Sequence, residues 1–298
     1  MRLAAPRAVW YSERMSEALE IAHGDFGRVV LLDMDRGLVR HAHHHCHVLL
    51  KVEGDDTQFL VGERVVRLTD EQAVLVNAWE THAYLHDPAR DKAMILALYV
   101  EPAWLGSFRN NWAASGAPGF FEQPVGLITA RIRQLARDLA AEMVYAPDSN
   151  HIRETLLPGL MIALIERFTA WREAGASLRA ASRSRDWRVQ RAIARIRAEP
   201  GTGDGIDALA REVGLSRAHF YRLFEQTTGA SPNVFKNAIR VERAVRAIVG
   251  TDQGLTDLSL GLGFSTPAHF SRFFRDHVGV PPSVFRGIVR RGGLPLLA

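Results

Sequence analysis

Between Val29 and about Tyr99 the chain sets short apolar stretches at regular spacing: VVLLDMD, HVLLKVEG, TQFLVG, ERVVRLTD, QAVLVNAW and MILALYVEP. Polar turn signals such as GDD, GER and TDE separate them. Runs this short, with turns between, predict β-strands assembled as a sandwich or barrel. From Leu127 the period lengthens. Ile128, Ile132, Leu135, Leu139 and Met143 recur at three or four residues, as do Ile152, Leu156, Leu160, Leu164, Phe168 and Trp171. Two amphipathic helices are therefore expected to flank the strands. Residues 174–185, AGASLRAASRSR, are small, polar and basic without periodicity, and they read as a linker. Helical spacing then holds to the end. The expected fold class is α+β, with a β domain over 1–175, a linker over 176–186 and an all-α domain over 187–298.

The last segment carries the sharpest motif. In IDALAREVG (206–214), Ile206, Leu209, Ala210 and Val213 share one helical face, and the closing glycine suits a left-handed turn. Ser216 is a good N-cap for a second helix from Arg217 to about Thr227. Phe220, Leu223 and Phe224 form its buried stripe, which leaves Arg217, Ala218, Tyr221 and Arg222 outside. Helix, glycine turn and second helix make one helix-turn-helix pattern, common enough to mean little alone. LTDLSLGLGFS (255–265) repeats it, with Leu258 and Leu262 inward, Gly263 at the turn and Ser265 as N-cap. The helix after it buries Phe270, Phe273 and Phe274 and exposes Ala268, Ser271, Arg272 and Arg275. The two units align at an offset of 49 with one insertion, at the start of the second outward helix or in its turn. Residues 234–249 read as one continuous helix of about 24 Å between them. Such a spacer can hold two recognition helices about one DNA turn, roughly 34 Å, apart.

Charge divides the chain at the same place. Residues 1–182 carry 19 Lys/Arg against 23 Asp/Glu, a net of −4, whereas residues 183–298 carry 18 against 10, a net of +8. A basic domain beside a mildly acidic one points to a polyanion met by the C-terminal part alone. Its cations are almost all arginine, suited to bidentate contacts with phosphate and guanine; a solvated arginine-rich surface is the other reading of charge taken alone. The 298 residues, 47% hydrophobic, suffice for two cores. One cysteine, Cys46, excludes an internal disulfide framework and fits a reducing compartment. No signal-like or membrane-length apolar run is evident, so a cytoplasmic protein without a membrane partner is expected.

GFSTPAHFSRFFRDHVGVPPSVFR and GLSRAHFYRLFEQTTGASP, over residues 187–286, resemble the AraC/XylS family of bacterial transcription regulators. The resemblance implies a chain that inserts both recognition helices into successive major-groove segments of double-stranded DNA. It assigns base-facing positions to Ala218, Tyr221 and Arg222 in the first helix and to Ala268, Ser271 and Arg272 in the second. It also implies a regulator, activator or repressor, that answers a small-molecule effector, works with RNA polymerase and dimerises through the helices at 127–171; plain packing within the domain is the other reading of those helices.

LVRHAHHHCHVLLKVEGDDTQFLVGERVVRLTDEQAVLVNAWETHAY is similar to the cupin-like effector domain common in that family. The implied architecture is a cupin-like β-barrel or sandwich with flanking helices, ahead of the tandem helix-turn-helix domain. On a strand, His41, His43, His45 and His47 would face one way and His44 the other. His41, His43, His47 and His82 fill the places of a cupin metal set, with His47 where glutamate would be expected. Three or four imidazoles can hold zinc, iron or nickel. The family generally binds organic effectors without metal, so no cofactor is required, and a polar strand lining a pocket mouth is the favoured reading. The candidate effector residues are His41, His43, His47, Trp79, His82 and Tyr84, with Tyr99 beside them. Catalysis has little support: Cys46 sits among histidines without a third catalytic partner, and no enzyme is expected. The alternative is a cupin-type metalloenzyme or metal sensor fused to a DNA-binding domain.

Overall fold

The computed structural model describes residues 17–117, 119–147, 149, 151–169, 186–201 and 205–291. Nearly all of the expected linker, and Trp171, lie outside these residues.

Among the described residues, nine strands form two sheets rather than a closed barrel. The larger has the order β1 (Glu17–Gly24), β2 (Gly27–Met34), β8 (Ala93–Val100), β3 (Cys46–Gly54), β6 (Gln72–Val76) and β9 (Val125–Leu127). The smaller is β5 (Arg64–Leu68), β4 (Thr57–Val61) and β7 (His82–Leu85). Every named ladder is antiparallel. All six apolar stretches are strands. The sequence reading missed β1, whose Glu17 and Glu20 interrupt the apolar pattern, and the short β7 and β9 of four and three residues.

The central strands β3 and β8 are buried on both faces, and their alternation sorts side chains into two layers. Val48, Leu50, Leu96 and Leu98 face Ile132, Leu139, Leu160 and Leu164 of the helices α2 (Ala130–Tyr145) and α3 (Leu157–Phe168). Leu49, Ile95, Ala97 and Tyr99 face Phe59, Val61 and Leu68 of the smaller sheet. The helix α1 (Pro102–Phe108) follows β8 directly. Ile128 stands before α2 rather than within it, because Thr129 caps the helix by accepting from the Ile132 amide.

The C-terminal part is helical: α4 (Trp187–Ala198), α5 (Ile206–Glu212), α6 (Arg217–Thr228), α7 (Pro232–Gly250), α8 (Leu255–Gly261), α9 (Pro267–Val278) and α10 (Pro282–Arg291). The spacer α7 has 19 residues, about 28 Å, longer than expected because Ser231 caps it and Pro232 takes its first position. Phe220, Phe224, Phe270 and Phe274 are fully buried, while Leu223 and Phe273 are only half-buried. The expected three-residue stripes are therefore two residues deep with a shoulder. The first unit closes its own core with Val189, Ile196, Leu209 and Phe235. The second shares an apolar cluster with the sheets, through Val278, Val280, Phe285 and Ile288. No helix among the described residues is long and apolar enough to cross a membrane.

Candidate functional site

Each helix-turn-helix unit is built by the same local chemistry. Gly214 and Gly263 adopt φ of +70° and +75°, the left-handed turn that a side chain disfavours. After Gly214, the hydroxyl of Ser216 accepts from the His219 amide and starts α6. The second unit differs from expectation: Thr266, not Ser265, caps α9 by accepting from the His269 amide, and Pro267 follows as its first residue. The insertion is thus Ser265, in the turn. From the caps onward the offset is 50, which pairs Ala218 with Ala268, Tyr221 with Ser271 and Arg222 with Arg272.

Ala218, Arg222, Ala268 and Arg272 are exposed, and Tyr221 and Ser271 are half-exposed. Arg217 is engaged by Asp207 at 3.1 Å and lies 5.5 Å from the Tyr221 ring. Asn233 Nδ2 donates to the Tyr221 hydroxyl at 2.9 Å. Arg222 and Arg272 have no ion pair or hydrogen bond to any described residue. Arg275 is half-buried, 3.8 Å from Asp276.

The histidines do come together, but not on a strand. Only His47 belongs to β3; His41 makes an isolated bridge to His82, and the chain bends at residues 44–45. The expected alternation fails there, and the bend itself gathers the rings. His82 lies 4.3 Å from His41, 4.9 Å from His43 and 5.3 Å from His47, centroid to centroid. Burial holds the His41, His43 and His47 imidazoles well below the usual histidine range, and holds His82 at about 4. All four are neutral at pH 7. His45 turns instead to Glu101, 3.0 Å away, and His44 lies 3.3 Å from Glu101 and 3.6 Å from Glu242 of α7. Those imidazoles hold the Glu101 carboxyl well below the usual carboxylate range.

This cluster lies against the seam between the two parts of the chain. The Val39 amide donates to the Asp276 carbonyl at 3.2 Å, and the His41 and His277 rings are 6.3 Å apart. A cavity of about 30 Å³ at the seam touches Arg28, His41, His43, Tyr99, Glu242 and His277. A second, of about 10 Å³, lies between the sheets against Leu32, Phe59, His47, His82, Tyr84 and His41. Of the expected effector residues, Trp79 touches neither cavity. It stacks on Phe235 at 4.3 Å and 16°, with its own backbone at φ +63°. Sequence reasoning missed Arg28, Glu101, Glu242 and His277, which no local motif links.

Trp79→Ala is expected to cost about 1–2 kcal/mol, as a stacked aromatic pair and its buried area are lost. Thermal unfolding followed separately at the sheet and helix signals should then split into two transitions; a single unshifted transition would show that this contact does not join the two parts.

Cys46 is fully buried, and burial pushes its thiol up to about 12. A nucleophilic role is not supported. In native protein, Cys46 should resist a thiol reagent at pH 8 for as long as the fold persists and react at once in denaturant. Rapid native labelling would contradict its burial.

A family model described as a helix-turn-helix domain matches residues 209–288. The lactose operon transcription activator of Staphylococcus xylosus is 29% identical over 62 residues, 21% of this chain and 22% of that protein. An uncharacterized HTH-type transcriptional regulator of Haemophilus influenzae is 30% identical over 83 residues, 28% of each. The match thus spans about a quarter of these curated relatives. Apo ToxT from Vibrio cholerae shares the fold at a TM-score of 0.54 and 11% identity, over 90% of this chain and 98% of that one. ToxT bound to an unsaturated fatty acid gives 0.50 at 11%, over 87% and 94%. The paired units and the family-model match identify residues 209–288 of this chain as a helix-turn-helix domain.

Proposed function

We propose that the chain is a sequence-specific transcription regulator whose N-terminal sheet domain takes a small-molecule effector and controls the two DNA-reading units. One observation carries this reading: two equivalent capped helices, each with an exposed and unengaged arginine at the same position, stand at either end of a 19-residue spacer. Arg222 and Arg272 read guanine edges, and Tyr221 and Ser271 contact neighbouring bases. Ala218 and Ala268 offer apolar contact to a thymine methyl. Arg217 and Arg275 contribute to the phosphate field.

The packed sheets, with His82 of one facing His47 of the other, support a cupin-like effector domain. Ligand pockets of roughly 300–1,000 Å³ are usual for organic molecules, far above the two cavities here. An organic effector seated in either of these cavities must therefore part the sheets or the seam. That gives it different affinities for the closed and opened states, the requirement for control. The inner cavity, apolar at Leu32, Met34, Leu49, Phe59 and Ile95 and polar at the histidines, favours a molecule with an apolar body and a polar head; ToxT holds a fatty acid in one of its solved structures. Dimerisation through α2 and α3, a cytoplasmic setting and contact with RNA polymerase belong to the same proposal.

The test is DNA affinity of the full chain with and without a panel of fatty acids and other amphiphilic acids. A fold-change with one member supports the reading, whereas affinity indifferent to all of them leaves only an architectural DNA-binding protein.

A further inference from the structure

Three imidazoles of the cluster are preset as ligands. The Nδ1 of His41 is 2.8 Å from the Val39 carbonyl, that of His43 is 3.1 Å from the His45 carbonyl, and that of His82 is 3.0 Å from the Glu80 carbonyl. A carbonyl can only accept, so each Nδ1 carries the proton and each Nε2 presents a lone pair. The ligand nitrogens of these three rings lie within 4.8 Å of one another. His43 Nε2 and His82 Nε2 are buried and have no hydrogen-bond partner. Two buried acceptors with no donor, converging beside the His41 imidazole, would be an expensive arrangement in an interior. A cation satisfies all three rings at once.

We propose that His41, His43 and His82 bind a divalent transition-metal ion of the zinc type, with the fourth coordination position open toward the seam cavity. The donor set is all imidazole, which suits zinc, cobalt, nickel or copper and disfavours magnesium and calcium. The outer contacts match what ligating histidines need, an Nδ1–H held by a backbone carbonyl that fixes tautomer and ring orientation. Metal–nitrogen bonds of about 2.0–2.1 Å in tetrahedral geometry require nitrogens about 3.3 Å apart; ring rotation of the three side chains supplies the closure. His47, its ring 5.0 Å from His43, walls the site on the sheet side. The neighbouring group of His44, His45 and Glu101 is a weaker candidate, because its carboxylate already accepts from both rings. His41 lines both cavities, so the ion sits where the sheet domain meets α7 and α9. The assignment is independent of DNA reading, and the two fail separately.

The test uses the full chain, stripped with EDTA and returned to chelator-free buffer, then titrated with Co²⁺. One Co²⁺ per chain is expected, with the intense visible absorption of a tetrahedral nitrogen site, displaced by one equivalent of Zn²⁺. His43→Gln and His82→Gln should each weaken Co²⁺ binding roughly a hundredfold or more, since loss of even an outer contact costs 10–100-fold. His151→Gln, at an exposed position, should leave binding unchanged. Circular dichroism checks that the variants fold; should one not fold, the wild-type spectrum and stoichiometry decide. No saturable cobalt spectrum in wild type, or binding lost in His45→Gln but kept in His43→Gln, overturns the assignment.

Discussion

Alanine at both Arg222 and Arg272 should lower affinity for the protein's preferred DNA roughly 30- to 10,000-fold, from about 1–3 kcal/mol per lost bidentate contact. The two residues occupy the same position in α6 and α9, five residues after the N-terminal residue of each helix. Neither is engaged by a described residue, so removing them costs the fold nothing and the melting temperature should hold. Base reading and phosphate contact separate cleanly. If each arginine reads a base, each single variant relaxes preference at one position in its own half of the site. If each only meets phosphate, affinity falls for all sequences alike and the salt slope drops by about one per residue. Anisotropy titrations at two salt concentrations distinguish the outcomes. Unchanged affinity in the double variant would mean that these helices do not read DNA.

Gly263→Ala should unfold or severely destabilise the second unit, at a cost of more than about 3 kcal/mol. Its φ of +75° alone would cost about 1–2 kcal/mol in a residue with a Cβ. The larger penalty is steric: a Cβ there would lie 2.0 Å from the Gly201 carbonyl oxygen and 2.6 Å from its Cα. Neither atom is a side-chain end that can swing away; both are backbone of the segment joining α4 to α5. Gly214, the equivalent residue of the first unit, has φ +70° and open space where its Cβ would be. Gly214→Ala should therefore show the conformational cost only. Urea unfolding of the two variants isolates the close approach as their difference, and equal losses would contradict it.

The C-terminal part was legible because its rules are local. Glycine turn, cap and aromatic spacing each act within a few residues, and the repeat supplied the second observation. Even there the cap was misplaced by one: Ser265 and Thr266 are both acceptable caps, and only the backbone decides between them. The strands from Val29 to Tyr99 were legible for a similar reason, since turns punctuate them. Sandwich and barrel were both left open, because whether two packed sheets join at their edges depends on long-range pairing that periodicity does not encode. The histidines were found, but period-two reasoning required a strand through 41–47, and β3 begins only at Cys46. The seam was invisible. Arg28, Glu101, Glu242 and His277 lie on separate elements up to 249 residues apart, and only folding makes them neighbours.

The central claim is that one chain reads two DNA segments through α6 and α9. Selection of bound duplexes from random DNA by the full-length protein tests it most directly. The expected result is a motif in two parts, centred about 10–10.5 base pairs apart, with Arg222→Ala degrading one part and Arg272→Ala the other. A random pool that returns no motif, or a motif untouched by both substitutions, would contradict it.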